Sequence, residues 1–447
     1  MKLLLHSTEA LLWVGIVATL AQTSGAYSVL THEQVVDLLW QDKIVPTLKA
    51  KYPDLSDDQI KQAHAYAYGG SLVQDMGYYP FGSKYFSDLT HYVRSGDFVA
   101  GLLEEANTAN EYAFALGALA HYAADNVGHP VINRVVAMDF PHLRKKFGDE
   151  VTYEDSPKDH IRVEFGFDMT EVAKNHYTSD RYHDSIGFEI SPGLLERVFP
   201  KIYGISFTDV IHNEDMAIGS FRHAVGTIIP QMTRVALLTR RKEMVADTPN
   251  AAKKRYLYYL SRTNYEREWG TEYRRPGFGT RVLAFFLKMI PKRGPFSALN
   301  FKVPAQKAED LFVKSIDDTV LDYGQLLDQV RAGPLHLADK DCDTGRDTRP
   351  GEYRLADKTY ARLLTNLTGT AFQQASAELR QNILSYYSNP EAPQATKRRQ
   401  KDWKKVRDNL RQLKEMTAGI MSQVEGSRAD SAPAVAPENA PAAPVRP

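Results

Sequence analysis

The sequence lacks the features that mark disulfide-rich, nucleic-acid-binding or membrane-spanning proteins. Its 447 residues include a single cysteine, Cys342, which excludes an intramolecular disulfide framework and a cysteine-based zinc cluster. The 55 basic and 55 acidic side chains cancel, so the net charge gives no attraction to a polyanion, and no specific nucleic-acid partner is expected. No uncharged apolar run reaches the about 20 residues that a membrane-spanning helix needs.

The N-terminus has the pattern of a secretory signal peptide. Lys2 is followed by an apolar run at residues 10–21, and the sequence SGA at 24–26 places small residues where a signal peptidase cleaves. We therefore predict that residues 1–26 are removed, that the mature chain begins at Tyr27, and that the mature protein is secreted or periplasmic.

Apolar residues recur at helical spacing along most of the chain, and few stretches alternate in the manner of strands. The pattern predicts an all-α protein with very little sheet. The predicted helices span residues 33–49, 56–66, 98–107, 111–126, 159–174, 209–228, 231–246, 305–331, 354–366 and 370–387. Prolines lie at or near most of the breaks between these helices.

Two segments combine apolar residues with basic ones. Residues 397–420 form a predicted amphipathic helix, in which the stretch 397–416 has nine basic and three acidic side chains. This helix is expected either to dock on the protein body with a solvated basic face or to contact anionic lipid head groups. The segment 278–290 has an apolar centre between basic residues, and it is expected either to be a buried helix with basic ends or to rest on a membrane surface. The Ala- and Pro-rich composition of residues 425–447 predicts a disordered tail.

Histidine is unevenly distributed, since eight of the 13 histidines lie between positions 32 and 176. His121, Asp125 and His129 occur at i, i+4 and i+8 of a predicted helix, so their side chains fall on nearly one face. His160 and Glu164 repeat the i, i+4 spacing, and an imidazole and a carboxylate on one face can bind one zinc ion together. The two pieces predict a metal centre.

The surroundings of these pieces add weaker signals. Alanines flank His121 and allow other helices to approach closely, and Pro130 is expected to end the helix. Upstream, His32, Asp75 and His91 are further candidate ligands. Each of them is weak evidence on its own, because a lone buried histidine or aspartate is more often a satisfied structural group.

Taken in order, these residues resemble the bacterial zinc-dependent phospholipases C. The ordered set is His32, Asp75, His91, H-x-x-x-D-x-x-x-H at 121–129 and H-x-x-x-E at 160–164. It is also similar to the catalytic domain of glycosylphosphatidylinositol-specific phospholipase D and to the zinc-dependent single-strand nucleases. The resemblance covers residues 27 to 240 approximately and implies an all-helical zinc phospholipase C/nuclease-like domain.

The resemblance also implies three zinc ions per chain. One would be bound by Asp75, His91, His121 and Asp125, a second by His129, His160 and Glu164, and a third by His32 together with the bridging Asp125. The backbone amine and carbonyl of the mature N-terminal residue, Tyr27, would complete the third site. Signal cleavage would then be part of the chemistry, because an uncleaved chain has an amide in place of that amine.

Three zinc ions and three carboxylates keep about three positive charges, which favours an anionic phosphodiester and its transition state. The resemblance implies a phosphodiester hydrolase that acts on phospholipid, with Asp75 as a ligand and candidate general base. Two alternatives stay open at this point. One is a zinc nuclease or nucleotidase on the same scaffold, and the other is a zinc-binding module without activity.

The predicted organisation has five parts. They are a signal peptide at 1–26, a catalytic domain at 27–245, a helical extension of unknown role at 246–395, a basic helix at 396–424 and the tail at 425–447. Asn126 and Asn133 are candidates to orient the metal ligands. Asp339, Asp341 and Asp343 alternate as in a calcium loop, but the glycine and glutamate positions of an EF-hand are not matched.

Overall fold

A computed structural model describes residues 28–246, 300–389 and 400–430, together with positions 269, 272–274, 277, 280–281 and 392. The predicted signal peptide and most of the segment 278–290 lie outside these residues, as does the tail from 431 onward. The prediction of an all-α protein is confirmed, because the described residues are mostly helical and contain one two-stranded sheet.

Most elements of the structure are helices. In the N-terminal half they are α1 (Val29–Leu39), α2 (Val45–Lys51), α3 (Asp57–Gly70), α4 (Lys84–Tyr92), α5 (Ser95–Glu105), α6 (Ala109–Asp139), α7 (Pro141–Phe147), α8 (Pro157–Ala173), α9 (Asp180–Ile186), α10 (Pro192–Tyr203), α11 (Phe207–Val210), α12 (Glu214–His223) and α13 (Ile229–Met244). A 3₁₀ turn spans Val73–Tyr78, and π-helical turns span Trp40–Ile44 and Ala224–Ile228.

In the C-terminal half, the described residues add four helices and a hairpin. They are α14 (Gln306–Ala332), strands β1 (Lys340–Asp341) and β2 (Arg346–Asp347), α15 (Arg354–Thr368), α16 (Ala377–Tyr386) and α17 (Gln400–Asp430). The strands pair antiparallel, with Lys340 opposite Asp347. Within the described part of the chain, no helix is both long enough and apolar enough to cross a membrane.

Helix α6 is the centre of the fold. It begins at the N-cap Thr108, whose side chain accepts a hydrogen bond from the backbone of Glu111. Small residues let α3 pack against it backbone to backbone: a Cβ on Gly70 would lie 1.9 Å from the carbonyl oxygen of Phe114. On another side α14 packs on α6, and the Tyr323 hydroxyl donates to the carbonyl of Leu116 at 2.9 Å. The middle of α6 is therefore deeply buried.

Pro130 does not end this helix, so the sequence-based boundary is wrong. The helix continues to Asp139 with Pro130 inside it. Proline removes one backbone hydrogen bond, but Ile132, Val135 and Val136 beyond it are fully buried, and that burial stabilises the continued helix by more than the bond that is lost.

Other boundaries differ where local geometry breaks the periodic pattern. The predicted helix 370–387 begins only at Ala377, because Ala371 and Phe372 have φ of 48° and 62° and form a left-handed turn. The predicted helix 209–228 is interrupted after Val210, and α12 starts after the N-cap Asn213. Helices α4, α7, α9 and α10 lie outside the predicted spans.

The basic C-terminal segment is a helix, as predicted, and one of its faces is docked. Trp403, Val406 and Leu413 are buried, and α17 contacts α15 and α16. The opposite face exposes the basic residues Lys401, Lys404, Lys405, Arg407, Arg411 and Lys414. The helix thus shows the docked arrangement with a solvated basic face.

Candidate metal centre

Helix α6 contributes three side chains to a buried polar cluster at the middle of the molecule. His121, Asp125 and His129 are 0%, 0% and 1% exposed. The Nε2 atoms of His121 and His129 lie 3.1 and 3.7 Å from Oδ2 of Asp125. The four-residue spacing places all three side chains on one face of the helix.

Three further elements bring side chains to the same cluster. From α1, Nε2 of His32 lies 3.5 Å from Oδ1 of Asp125. The 3₁₀ turn contributes Asp75, and α4 contributes His91, whose Nε2 lies 3.5 Å from Oδ1 of Asp75 and 3.3 Å from Oδ2 of Asp125. Donor atoms converge within 4.8 Å of one another in two sets, which are His32, His121 and Asp125, and Asp75, His91 and His121.

Backbone carbonyls fix the tautomers of two of these imidazoles. Nδ1 of His91 lies 2.8 Å from the carbonyl oxygen of Ser87, and Nδ1 of His121 lies 2.9 Å from that of Ser71. Because a carbonyl only accepts, Nδ1 of each ring is the donor, and a ring with a single proton presents its lone pair at Nε2. The two Nε2 atoms are 3.3 Å apart. A cation between them would satisfy both lone pairs, and a carbonyl behind the far nitrogen is the usual support of a metal-binding histidine.

Helix α8 contributes His160 and Glu164, and Nδ1 of His160 lies 2.5 Å from Oε1 of Glu164. Asn133 determines the tautomer of this ring. Its Nδ2 donates to the backbone carbonyl of Asp343 at 2.8 Å, so the atom 2.7 Å from Nε2 of His160 is its Oδ1. Burial lowers the pKa of His160 to about 4, so the ring is neutral and its one proton sits on Nε2. The Nδ1 lone pair then faces the carboxylate of Glu164, and the two groups repel each other. A cation bound between them would remove this repulsion.

The side chains of the predicted second zinc site, His129, His160 and Glu164, do not all come together. Within the described residues, the donor atoms of His129, His160 and Glu164 do not all lie within 4.8 Å of one another. The rings of His129 and His160 are nevertheless neighbours, with centroids 5.3 Å apart. Tyr27 lies outside the described residues, so the N-terminal ligand stays a prediction.

Burial determines the charge of the cluster. It lowers the pKa of His129 well below the ordinary value and raises that of Asp75 well above it. Burial also opposes ionisation of Asp125, but the neighbouring His121 and His129 hold its pKa well below the ordinary range. Within the described part of the chain, neither carboxylate oxygen of Asp125 and neither ring nitrogen of His129 makes a hydrogen bond. A buried carboxylate among imidazoles is costly alone and is a fitting donor set for zinc.

One residue of this cluster is not among the ligands expected from the sequence. Oδ1 of Asp343, next to β1, lies 3.3 Å from Nδ1 of His129. The alternating aspartates indicate only a weak resemblance to a calcium loop. Asp343 contacts Asn133 of α6, which lies 210 residues earlier in the chain, and no sequence spacing predicts that contact. Of the two asparagines considered as ligand supports, Asn133 contacts His160, whereas Asn126 donates to the carbonyl of Tyr122 within its own helix.

Residues 31–213 match the family model of the zinc-dependent phospholipases C. The match supports membership of this segment in that family. The family segment contains every side chain that the sequence predicts as a zinc ligand, and it ends 130 residues before Asp343. No curated protein and no solved structure matches the chain. The match supports zinc dependence and phospholipase C-type hydrolysis at the level of the family.

Proposed function

We propose that the protein is a zinc-dependent phosphodiesterase that hydrolyses phospholipids to diacylglycerol and a phosphorylated head group. The observation that carries the proposal is the convergence of the His91 and His121 lone pairs on Asp125 inside a phospholipase C family segment. The match to a zinc-dependent family supports zinc as the metal, and the buried histidine and carboxylate side chains fit it.

We assign the ligands as the family resemblance implies. Asp75, His91, His121 and Asp125 would hold one zinc ion, His129, His160 and Glu164 a second, and His32 with Asp125 a third that the backbone of Tyr27 completes. The support is strongest for the first and third sets, whose side-chain donors lie 3.1–3.5 Å apart. Two donors about 2.0–2.1 Å from one tetrahedral zinc are separated by about 3.3 Å.

Hydrolysis also needs a group that accepts the proton of the attacking water. Zinc held by the assigned ligands would polarise the phosphoryl oxygens and lower the pKa of a bound water toward about 7. Asp75 is suited to accept the proton of that water, because burial raises its pKa well above the ordinary value and because its Oδ1 makes no hydrogen bond within the described residues.

A cation beside the cluster supports an anionic substrate. Nζ of Lys84 lies 3.4 Å from Oδ1 of Asp88, with which it forms an ion pair, and 5.4 and 5.5 Å from the ring centres of Tyr78 and Tyr153. Its side chain is 48% exposed. These two tyrosine rings lie near the candidate ligands. The ring centroids of Tyr78 and His91 are 6.2 Å apart, and those of Tyr153 and His160 are 6.0 Å apart. Lys84 can therefore attract a phosphate to the centre from solvent.

The basic face of α17 is proposed to bring the enzyme to its substrate. Its exposed lysines and arginines would attract anionic head groups without undocking the apolar side that holds Trp403 and Leu413. Flotation with vesicles of neutral and of anionic phospholipid tests this contact. A chain with Lys404, Lys405 and Arg411 changed to Gln should lose binding to the anionic vesicles alone. Secretion, with cleavage after Ala26, is part of the same proposal.

One assay tests the proposed activity. Purified mature protein, as zinc-loaded enzyme and after chelation, is given phosphatidylcholine vesicles, single-stranded DNA and a chromogenic phosphodiester. We expect zinc-dependent release of the phosphorylated head group from the vesicles. Cleavage of DNA without cleavage of lipid would replace the phospholipase by a nuclease. Zinc bound by elemental analysis, with no turnover of any substrate, would identify a non-catalytic zinc module.

A further inference from the structure

The hairpin of β1 and β2 is fastened to the helices that carry the metal centre. The Cys342 amide donates to the carbonyl of His91 at 3.1 Å, and Lys340 exchanges hydrogen bonds of 3.0 and 2.6 Å with the hydroxyl of Ser95. At the turn, Gly345 has φ of 67°, and a Cβ there would lie 2.2 Å from the carbonyl oxygen of Asn126. The turn therefore requires glycine, and its backbone lies directly on α6 next to the candidate ligands.

The contacts of Asp343 orient its carboxylate. Oδ2 accepts hydrogen bonds from the hydroxyls of Tyr92, at 2.9 Å, and Tyr353. Its backbone carbonyl accepts from Asn133, and its amide donates to Oδ1 of Asp341 at 3.0 Å. With Oδ2 occupied by two phenols, Oδ1 is the atom directed at His129. A carboxylate held by hydrogen bonds through one oxygen is the usual state of a metal-ligating carboxylate.

The distance between the two groups fits a shared metal better than a hydrogen bond. Oδ1 of Asp343 and Nδ1 of His129 are 3.3 Å apart, and neither ring nitrogen of His129 makes a hydrogen bond within the described residues. The same separation, 3.1–3.5 Å, recurs among the donors around Asp125. Two donors of one tetrahedral zinc lie about 3.3 Å apart, whereas nitrogen–oxygen hydrogen bonds are mostly about 2.9 Å.

We propose that Asp343 is a zinc ligand that binds the same ion as His129. The C-terminal extension, which lies outside the family segment, would thereby supply a fourth carboxylate to the centre. This inference rests on the proposed metal centre. It makes the extension a component of the active centre, and it lowers the positive charge of a three-zinc site from about three to about two.

The test compares Asp343→Asn with wild type in the full mature chain. Asparagine keeps the shape and an acceptor for the tyrosines, so the metal-free variant is expected to unfold at the wild-type temperature. Its zinc content after dialysis against a weak chelator is expected to fall by about one ion per chain, and the Co²⁺-loaded variant is expected to show an altered visible spectrum. Asp347→Asn, an exposed carboxylate of the same hairpin, is the matched control and should match wild type in both measurements.

Each failure has a distinct meaning. Wild-type protein that binds no zinc overturns the metal centre itself. Zinc-loaded wild type together with an Asp343→Asn variant of equal zinc content and spectrum overturns the role of Asp343 and leaves the centre intact. If the variant does not fold, anomalous diffraction at the zinc edge from wild-type crystals determines whether zinc lies at Asp343. A zinc ion about 2 Å from Oδ1 of Asp343 supports the proposal, and a filled centre with zinc distant from that atom contradicts it.

Discussion

Asn133 holds His160 by a hydrogen bond of 2.7 Å from Nε2 of the imidazole to its Oδ1. The same amide donates to the backbone of Asp343, so one side chain of α6 links a ligand candidate of the family segment to the hairpin of the extension. The direction of this amide leaves Nδ1 of His160 with the lone pair that the proposed zinc ion would bind.

Removing that amide should weaken zinc binding. In Asn133→Ala, His160 loses the partner that fixes its tautomer, and we expect a roughly 10- to 100-fold loss of zinc affinity. Asn126→Ala is the matched control, because Asn126 donates only within its own helix. Competition titration with a chromophoric chelator measures both variants. Equal affinities in Asn133→Ala and wild type would refute the orienting role.

Lys84 should affect substrate binding but not metal content. A hydrogen bond to a charged group contributes about 1.5–3 kcal/mol, and partial exposure places Lys84 at the lower end of that range. Lys84→Met is therefore expected to raise KM about 10-fold, with kcat and zinc content near wild type, and Lys84→Arg should restore most of the loss. The exposed Lys49→Met is the control for charge alone. A fall in kcat at unchanged KM would contradict a role in substrate attraction.

Among the candidate ligands, the sequence predicts best the proximity of those that share a helix. His121, Asp125 and His129 are four residues apart, so helical geometry alone brings them to one face, and the structure shows them together. His32, Asp75 and His91 were placed with them only by family resemblance, because contacts between separate elements depend on packing that spacing does not reveal. Neither helical spacing nor family resemblance could place Asp343 in the cluster. It lies on a turn that depends on Gly345 and outside the family segment.

The same contrast applies to the fold. Long amphipathic helices such as α14 were predicted within a few residues. The extension of α6 through Pro130 was not, because local proline geometry favours a break and only the tertiary burial of residues beyond it reverses that preference.

The start of the mature chain should matter for activity. Asp168 accepts hydrogen bonds from the amide of Leu30 at 3.0 Å and the hydroxyl of Thr31 at 2.6 Å, which fixes the first turn of α1 directly before His32. If Tyr27 is a backbone ligand, a retained tag replaces its amine by an amide, and zinc content and kcat should both fall. Protein cut by a protease to begin at Tyr27 is compared with the uncut form. Full turnover by tagged, fully metallated protein would exclude the N-terminal ligand.

His183 should make stability depend on pH. Burial alone would lower its pKa, but Glu33, 2.8 Å from Nδ1, and the nearby Asp37 raise the pKa to about 9. The ordinary value is about 6.5, so between about pH 6.5 and 9 the folded state binds a proton that the unfolded state has lost. The stabilisation, at most about 3 kcal/mol, is complete below about pH 6.5 and is lost as the pH rises through about 9.

Urea unfolding of wild type and His183→Gln tests that dependence on pH. Wild type should lose stability between about pH 6 and about pH 9.5, and the variant should lose distinctly less over the same interval, because glutamine does not titrate. His212→Gln, at an exposed position of the family segment, should follow wild type. If the stabilities of wild type and His183→Gln fall in parallel with rising pH, the charge on His183 is not the cause, and another group titrates in that range.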